Sequence, residues 1–475
     1  MSSQNPFPSS FIKPWKDLLE SRRAEQAHDF PNQHVNDLDS LITTSTLESI
    51  HVGTGLSIYS RALLPAIRSA RRSVHFVTCY WAASPTLDAI RNTLLQLAAD
   101  RQGREQDAPV LRVTIGFSSS GLFQKLFHTS SRNGCVYPPS RWKKLGLPDS
   151  DALGRAGIEL TVKSLFFTPL SVMHPKYVII DEERAFVPSC NVSWERWFEG
   201  CVELRGDVVR SLLAFHRQVW AHGAESTAQG DHEQLRRGTQ REASAPSDPE
   251  SASQSLQLEG GEDVPTILLP SSHHRNPRFS FFPFLSHSSP PMTPLNAALL
   301  TLFSNAKRKI TILTPNLTSG PVVEALLEAL DRGVDVQIRT SKGMMLLEQL
   351  VTAGTTTARC IKKLVKRYKV LQTRAQATDL EAQPVSPGRL EIRYFKAFPS
   401  RKDRDDEPVV SHFKMTMVDD EYLVLGSGNM DRASWWTSQE LGILFYVPSF
   451  QGQTLWDTVL ERRTELAFHS DGDSS

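Results

Sequence analysis

Cysteine is scarce and dispersed: the five in this 475-residue chain are Cys79, Cys135, Cys190, Cys201 and Cys360, with no C-x-x-C pair. An odd, scattered set excludes a disulfide framework and a cysteine-based zinc site, and it suits a reducing compartment. No run of 18 apolar residues occurs, so no membrane-spanning helix is expected. The opening stretch, MSSQNPFPSSFIKPWKDLLESRRAEQ, has no apolar signal-peptide core and carries acids, which sets it apart from secretory and mitochondrial leaders. The expected location is therefore cytoplasmic, with peripheral contact with an intracellular membrane left open. The formal net charge of +1 provides no global attraction to polyanions. That argues against nucleic acid as a partner and requires any basic surface to be local.

The composition that is present, 40% hydrophobic and 22% charged, is that of a globular chain with ample apolar residues for two large cores. Residues 1–45 are polar and Pro/Ser-rich and read as a mobile tail, as does 469–475. Between Ala224 and Asp263 there is no aromatic residue, isoleucine or valine. Such a segment cannot bury enough apolar area to offset the entropy of ordering, so 223–263 reads as a disordered linker between halves at 46–222 and 264–468.

The halves resemble each other. SARRSVHFVT (69–78) aligns without a gap to NAKRKITILT (305–314). Helical spacing follows in PTLDAIRNTLLQLAADRQG and GPVVEALLEALDRGV, then strand patterns in LRVTIGFSSSG and VDVQIRTSKG. Two strand–helix–strand units with right-handed crossovers are expected, giving an α/β fold in two copies.

Each half also carries the same polar motif. HPKYVIID (174–181) places His174, Lys176 and Asp181; HFKMTMVD (412–419) places His412, Lys414 and Asp419 at identical spacing. Asn191, in PSCN, and Asn429, in GSGN, follow at the same separation, and Glu203 and Glu440 lie further on, in VEL and QEL. Residues two apart on a strand share a face, so each histidine projects with its lysine. Asp181 and Asp419 have the opposite parity and open the polar stretches DEER and DDEY between apolar strands, which makes them turn-forming residues. The asparagines, just past the returning strand, can aim back at the histidine and lysine. Glu203 and Glu440 are placed to fix histidine tautomers through the far ring nitrogen.

Two H-x-K-x(4)-D motifs, each followed by asparagine, resemble the phospholipase D superfamily of phosphodiesterases over roughly 46–222 and 264–468. The resemblance implies two pseudo-symmetric halves, each a mixed sheet flanked by helices, sharing one site with no metal and no organic cofactor. It further implies His174 as nucleophile, forming a phosphohistidine, and His412 as acid and base. Lys176, Lys414, Asn191 and Asn429 would surround the phosphate oxygens. Pro188 stands where the family has glycine, which puts the approach to Asn191 in question.

Three local features bear on the substrate. NMDRASWWTSQELGI is similar to the stretch of cardiolipin synthases and related phosphatidyl-transferring members, with Ser434 at the serine of that stretch. Trp194, Trp197, Trp435 and Trp436 flank the motifs and suit either an apolar mouth or core packing; FSFFPFL (279–285) offers the same two readings. IKKLVKRYKV (361–370) gathers lysines that could grip headgroups or a nucleic-acid backbone. His273 and His274 have no metal-ligand company. The expectation is a monomeric phospholipase D or phosphatidyltransferase acting on phospholipid, with a nuclease-type phosphodiesterase or a non-catalytic lipid-binding protein as alternatives.

Overall fold

The computed structural model describes residues 7–102, 109–121, 133–167, 171–221, 248–258, 263–272, 289–377, 386–448, 450 and 453–470. Seven main strands build the first half: β1 (Ile42–Thr54), β2 (Ser73–Tyr80), β3 (Leu111–Ser119), β4 (Ile158–Ser164), β5 (Tyr177–Ile180), β6 (Arg184–Pro188) and β7 (Trp197–Arg205). The second half repeats them as β8 (Val264–Ser271), β9 (Lys309–Thr314), β10 (Asp335–Thr340), β11 (Leu390–Phe395), β12 (Met415–Val418), β13 (Tyr422–Gly426) and β14 (Glu440–Tyr446).

Pairing gives the spatial order β1-β7-β6-β5-β2-β3-β4 in one sheet and β8-β14-β13-β12-β9-β10-β11 in the other. The orders are the same. In each, the pair β2–β3 or β9–β10 is parallel and joined by a helix, Pro85–Gln102 or Gly320–Asp331. These are the two expected crossover units. The sheets are stitched together because the start of β1 continues onto β8, pairing Ile42 with Ile267 and Ser45 with Val264. A hydrophobic cluster drawing on both halves, including Tyr177, Phe198, Phe413, Met415 and Trp456, fills the seam.

Asp181 and Asp419 serve the turns, as their parity requires. Asp181 and Glu182 have φ of 53° and 61°, and Asp419 and Asp420 of 56° and 58°. Two successive positive φ values make the hairpin turn that matches strand twist, and aspartate tolerates them. Each carboxylate also anchors the neighbouring strand: Asp181 accepts from the backbone N–H of Arg72 (2.7 Å) and Ser73 (2.9 Å), Asp419 from Arg308 (2.7 Å) and Lys309 (3.0 Å).

Three segment expectations change. Residues 1–45 are not a tail throughout: Ser9–Ser21 is a helix whose stripe Phe11, Ile12, Trp15 and Leu19 is buried. It packs on the helix Pro294–Asn305, where Trp15 Nε1 donates to the Pro294 carbonyl at 3.1 Å. Those residues recur at helical spacing, a core-facing signal hidden by the polar residues around it. Within the expected linker, Gln254–Gln257 pairs with β1 and Asp248 forms an ion pair with Arg401. Backbone hydrogen bonds and charge hold this stretch, together with Ala252, buried in the core, and Leu258, packed against it. Residues 222–247 and 259–262, like FSFFPFL and His273–His274, lie outside the described residues. At the other end, His469 belongs to the edge strand Thr464–His469 rather than to a tail. No helix among the described residues is long and apolar enough to cross a membrane.

If the amino-terminal helix is part of the core, Trp15→Ala should lower the unfolding free energy by about 3–5 kcal/mol, the usual cost of a large aromatic-to-alanine truncation. Urea unfolding of the two proteins measures it; a mobile tail would leave the midpoint unchanged.

Candidate active site

The histidine and lysine of each motif lie just before a strand, β5 or β12, and the two stretches meet at one place. The backbone N–H of His174 donates to the Gln439 carbonyl and that of His412 to the Phe198 carbonyl, each at 2.9 Å, so each histidine is docked on the opposite half. Their rings stand edge to face with centroids 6.5 Å apart. Each Nδ1 meets a carboxylate from the other half: His174 pairs with Glu440 Oε2 and His412 with Glu199 Oε1, both at 2.8 Å. With Nδ1–H donating to the carboxylate, each Nε2 keeps its lone pair.

Glu440 stands where it was expected, but the place expected of Glu203 is taken by Glu199. Glu203 instead binds Arg184 (2.6 Å) and the Ser49 hydroxyl (3.0 Å), and is a structural residue of β7. The sequence frame misleads because the second connection is longer. Ser189 bonds Glu199, ten positions on, and Ser427 bonds Glu440, thirteen positions on. Counting thirteen from Ser189 lands on Val202, beside Glu203, so no fixed offset from the shared serine finds Glu199. Gly200, next to it, is also required, since a Cβ there would lie 2.3 Å from the Phe413 ring.

The glutamates are held from several sides. Ser427 donates to Glu440 at 2.5 Å and Ser434 at 2.7 Å, while the Asn429 N–H donates to the Ser434 hydroxyl at 3.2 Å. Ser434 thus links the asparagine loop to Glu440. Asp431 caps the short helix Arg432–Trp436 by accepting from the Ser434 N–H. Pro188 does not disturb its side: the Ser189 N–H reaches the Gly200 carbonyl at 2.8 Å, as Ser427 reaches that of Leu441 at 3.0 Å.

The lysines complete the ring. Lys176 Nζ donates to the His174 carbonyl (2.8 Å) and Lys414 Nζ to that of His412 (2.6 Å), leaving each ammonium further N–H groups for an anion. Asn191 Oδ1 accepts from the Tyr80 N–H at 3.2 Å. Asn429 Nδ2 donates to Asp431 at 3.0 Å, while its buried Oδ1 has no hydrogen-bond partner among the described residues.

Burial dominates the electrostatics. It pushes His412 down to about 3, against the opposing pull of Glu199, and lowers His174 in the same way against Glu440. Both rings are therefore neutral at pH 7. Burial also pushes Lys414 down to about 7, although Glu199 favours its charge. Burial works to raise Glu199, but His412 and Lys414 hold its carboxyl below the usual value. Among the described residues, no group of three or more His, Cys, Asp or Glu could hold a metal ion.

The tryptophans separate into different roles. Trp197 lies 4.7 Å from the His412 ring, centroid to centroid, and Trp194 is exposed beside Tyr80. Trp436 is partly exposed and stacks under Arg432. Trp435 is no mouth residue: it is 2% exposed in the core of the second half, and its carbonyl accepts from Asn296. Adjacent positions on a helical turn point apart, so only one of the pair can face outward.

Residues 299–455 match the family described as cardiolipin synthase, phospholipase D-like domain. This stretch, about a third of the chain, is similar to that domain. Across its length the chain is similar in fold to phosphatidylserine synthase from Haemophilus influenzae Rd KW20, with TM-score 0.53, 13% identity and 91% of each chain covered. The phospholipase D family member Nuc from Salmonella typhimurium aligns at 15% identity over 43% of this chain and 98% of its own, with TM-score 0.27, too low to carry an argument. No curated protein sequence matches the chain. The matched stretch contains His412, Lys414, Asn429 and Glu440; the residues facing them come from the first half.

Because Lys414 titrates near 7, anion binding at the site should weaken as pH rises through that value, when the ammonium loses its proton. Titration calorimetry with sulfate, whose charge is constant over the range, should show affinity falling between pH 6 and 8.5. Lys414→Met should flatten that dependence.

Proposed function

We propose that the protein is a phospholipase D-type phosphodiesterase or phosphatidyltransferase that acts on phospholipids through a phosphohistidine. The observation that carries this reading is the pair of edge-to-face imidazoles, each backed by a buried glutamate from the opposite half. A tetrahedral phosphate between the rings can be attacked by one Nε2 while the other serves the leaving oxygen. The names of the matching family and of the phosphatidylserine synthase that shares the fold support a phospholipid as the diester.

In the proposed cycle, His174 Nε2 attacks phosphorus, forming the P–N bond as the P–O bond to the leaving alcohol breaks. His412 Nε2 gives that alcohol its proton. Water or an incoming alcohol then loses its proton to His412 and attacks phosphorus, breaking the P–N bond and freeing His174. The negative diester adds to Glu199 in favouring the imidazolium form that the acid step needs. Lys176, Lys414 and the two asparagines surround the phosphate oxygens as charge develops. Glu199 and Glu440 act on substrate only through the rings they orient, as positioning residues. Trp194 and Trp197 border the entrance. The chain acts as a monomer, needs no added cofactor and meets lipid at a membrane surface.

Incubation with a panel of phospholipids, with and without a primary alcohol, should yield phosphatidic acid in the first case and the exchanged lipid in the second. Cleavage of single-stranded DNA or RNA with no lipid product would give the site to a nuclease instead. His174→Asn and His412→Asn should each remove nearly all turnover, and an activated leaving group, which needs no acid, should restore more activity to the His412 variant.

The exchange of Glu199 for Glu203 makes a separate test of positioning. Glu199→Gln should cut turnover at least about 100-fold and alter its pH profile, while Glu203→Gln should stay within a few-fold of the native rate. Steady-state kinetics with melting curves decides; equal deficits would contradict the pairing.

A further inference from the structure

The helix Leu346–Ala353 is built inside out. Its inward anchor is polar: buried Gln349 donates Nε2 to the Asn316 side-chain oxygen at 2.8 Å, and its Oε1 accepts from the Thr357 N–H at 2.6 Å and hydroxyl at 3.0 Å. Its outward residues are apolar, with Leu346, Leu347, Leu350 and Val351 exposed by 47%, 77%, 43% and 49%. Large side chains left in water on a single short helix form a contiguous patch, and such patches mark interaction surfaces.

The position of the patch narrows its partner. Asn316 follows the end of β9, where Thr314 accepts from the Met430 N–H, next to Asn429. The helix packs beside Arg432–Trp436, which begins three residues after Asn429. The patch is therefore on the side of the molecule that carries the site. Beyond the left-handed cap at Gly354 begins the helix Thr357–Ala377, with Lys362, Lys363 and Lys366 exposed in its first three turns, within about 15 Å of its start at a rise of 1.5 Å per residue. Glu348 is the one acid on the apolar helix. Exposed leucines followed along the chain by exposed lysines are complementary to a surface that offers acyl chains under anionic headgroups.

We infer that Leu346–Ala353 docks the protein on an anionic phospholipid bilayer, its leucines entering the headgroup boundary and Lys362, Lys363 and Lys366 meeting the headgroups. This rests on the reading of the site as one for phospholipid, and it brings the entrance to the surface where that substrate lies.

The test uses the full chain with Leu346→Glu/Leu347→Glu, both already in water, and a second variant with Lys362, Lys363 and Lys366 changed to Gln. Co-sedimentation is measured with vesicles of phosphatidylcholine alone or mixed with phosphatidylglycerol. The leucine variant should lose vesicle binding about tenfold or more and keep its rate on a monomeric short-chain phospholipid; the lysine variant should lose the preference for the anionic vesicles. Unchanged binding in the leucine variant would overturn the inference, as would a native dimer that this variant dissolves, which would make a second copy the partner. Binding is read without turnover. A protein that binds vesicles through this helix but converts no phospholipid would refute the functional reading alone, and one that converts monomeric lipid without binding vesicles would refute the docking alone.

Discussion

The crossed glutamate–histidine pairs are the constraint on which the rest of the molecule turns. Glu440, from the second half, orients His174 of the first; Glu199, from the first, orients His412 of the second. Neither half can hold a properly oriented imidazole without the other. The halves must therefore meet in one register, which the reciprocal backbone bonds to Gln439 and Phe198, the strand shared between β1 and β8 and the apolar seam between the sheets all maintain. Two carboxylates, two imidazoles and two lysines packed together in a largely buried space would be costly alone; each here has a hydrogen-bond partner.

The same burial sets the resting protonation. Dry surroundings keep both rings neutral despite the adjacent carboxylates, and bring Lys414 close to losing its proton at neutral pH. The site therefore favours an anion, which would restore the charge that burial disfavours. Serines do the quieter work: Ser189 and Ser427 hold the glutamates, and Ser434 ties one of them to the asparagine loop.

Around this centre the two halves diverge. The longer second connection makes room for the helix Arg432–Trp436, which buries Trp435 and presents Trp436; the shorter first one brings Trp197 against His412 and leaves Trp194 in water. The inverted helix Leu346–Ala353 sits beside the longer connection. The arrangement of the histidines, lysines and glutamates is close to two-fold, whereas the segments around it are not.

Repetition was the legible part. Two βαβ patterns and two H-x-K-x(4)-D motifs at equal spacing are local periodicities, and they sufficed for the fold class and for the turn role of Asp181 and Asp419. The histidines and lysines, expected on strand faces, instead lie in the stretches just before the strands Tyr177–Ile180 and Met415–Val418. Glu199 was not legible in the same frame, since three residues inserted in one loop shift which glutamate faces the ring, and only the pairing of strands reveals it. Nor could composition show that Trp15 would be buried or that Gln254–Gln257 would pair with β1: both depend on partners far away in sequence, Pro294 in one case and the open edge of a strand in the other. Side-chain identity and spacing specify what a residue can do; which neighbour it does it with is decided by contacts that form only when the two halves close on each other.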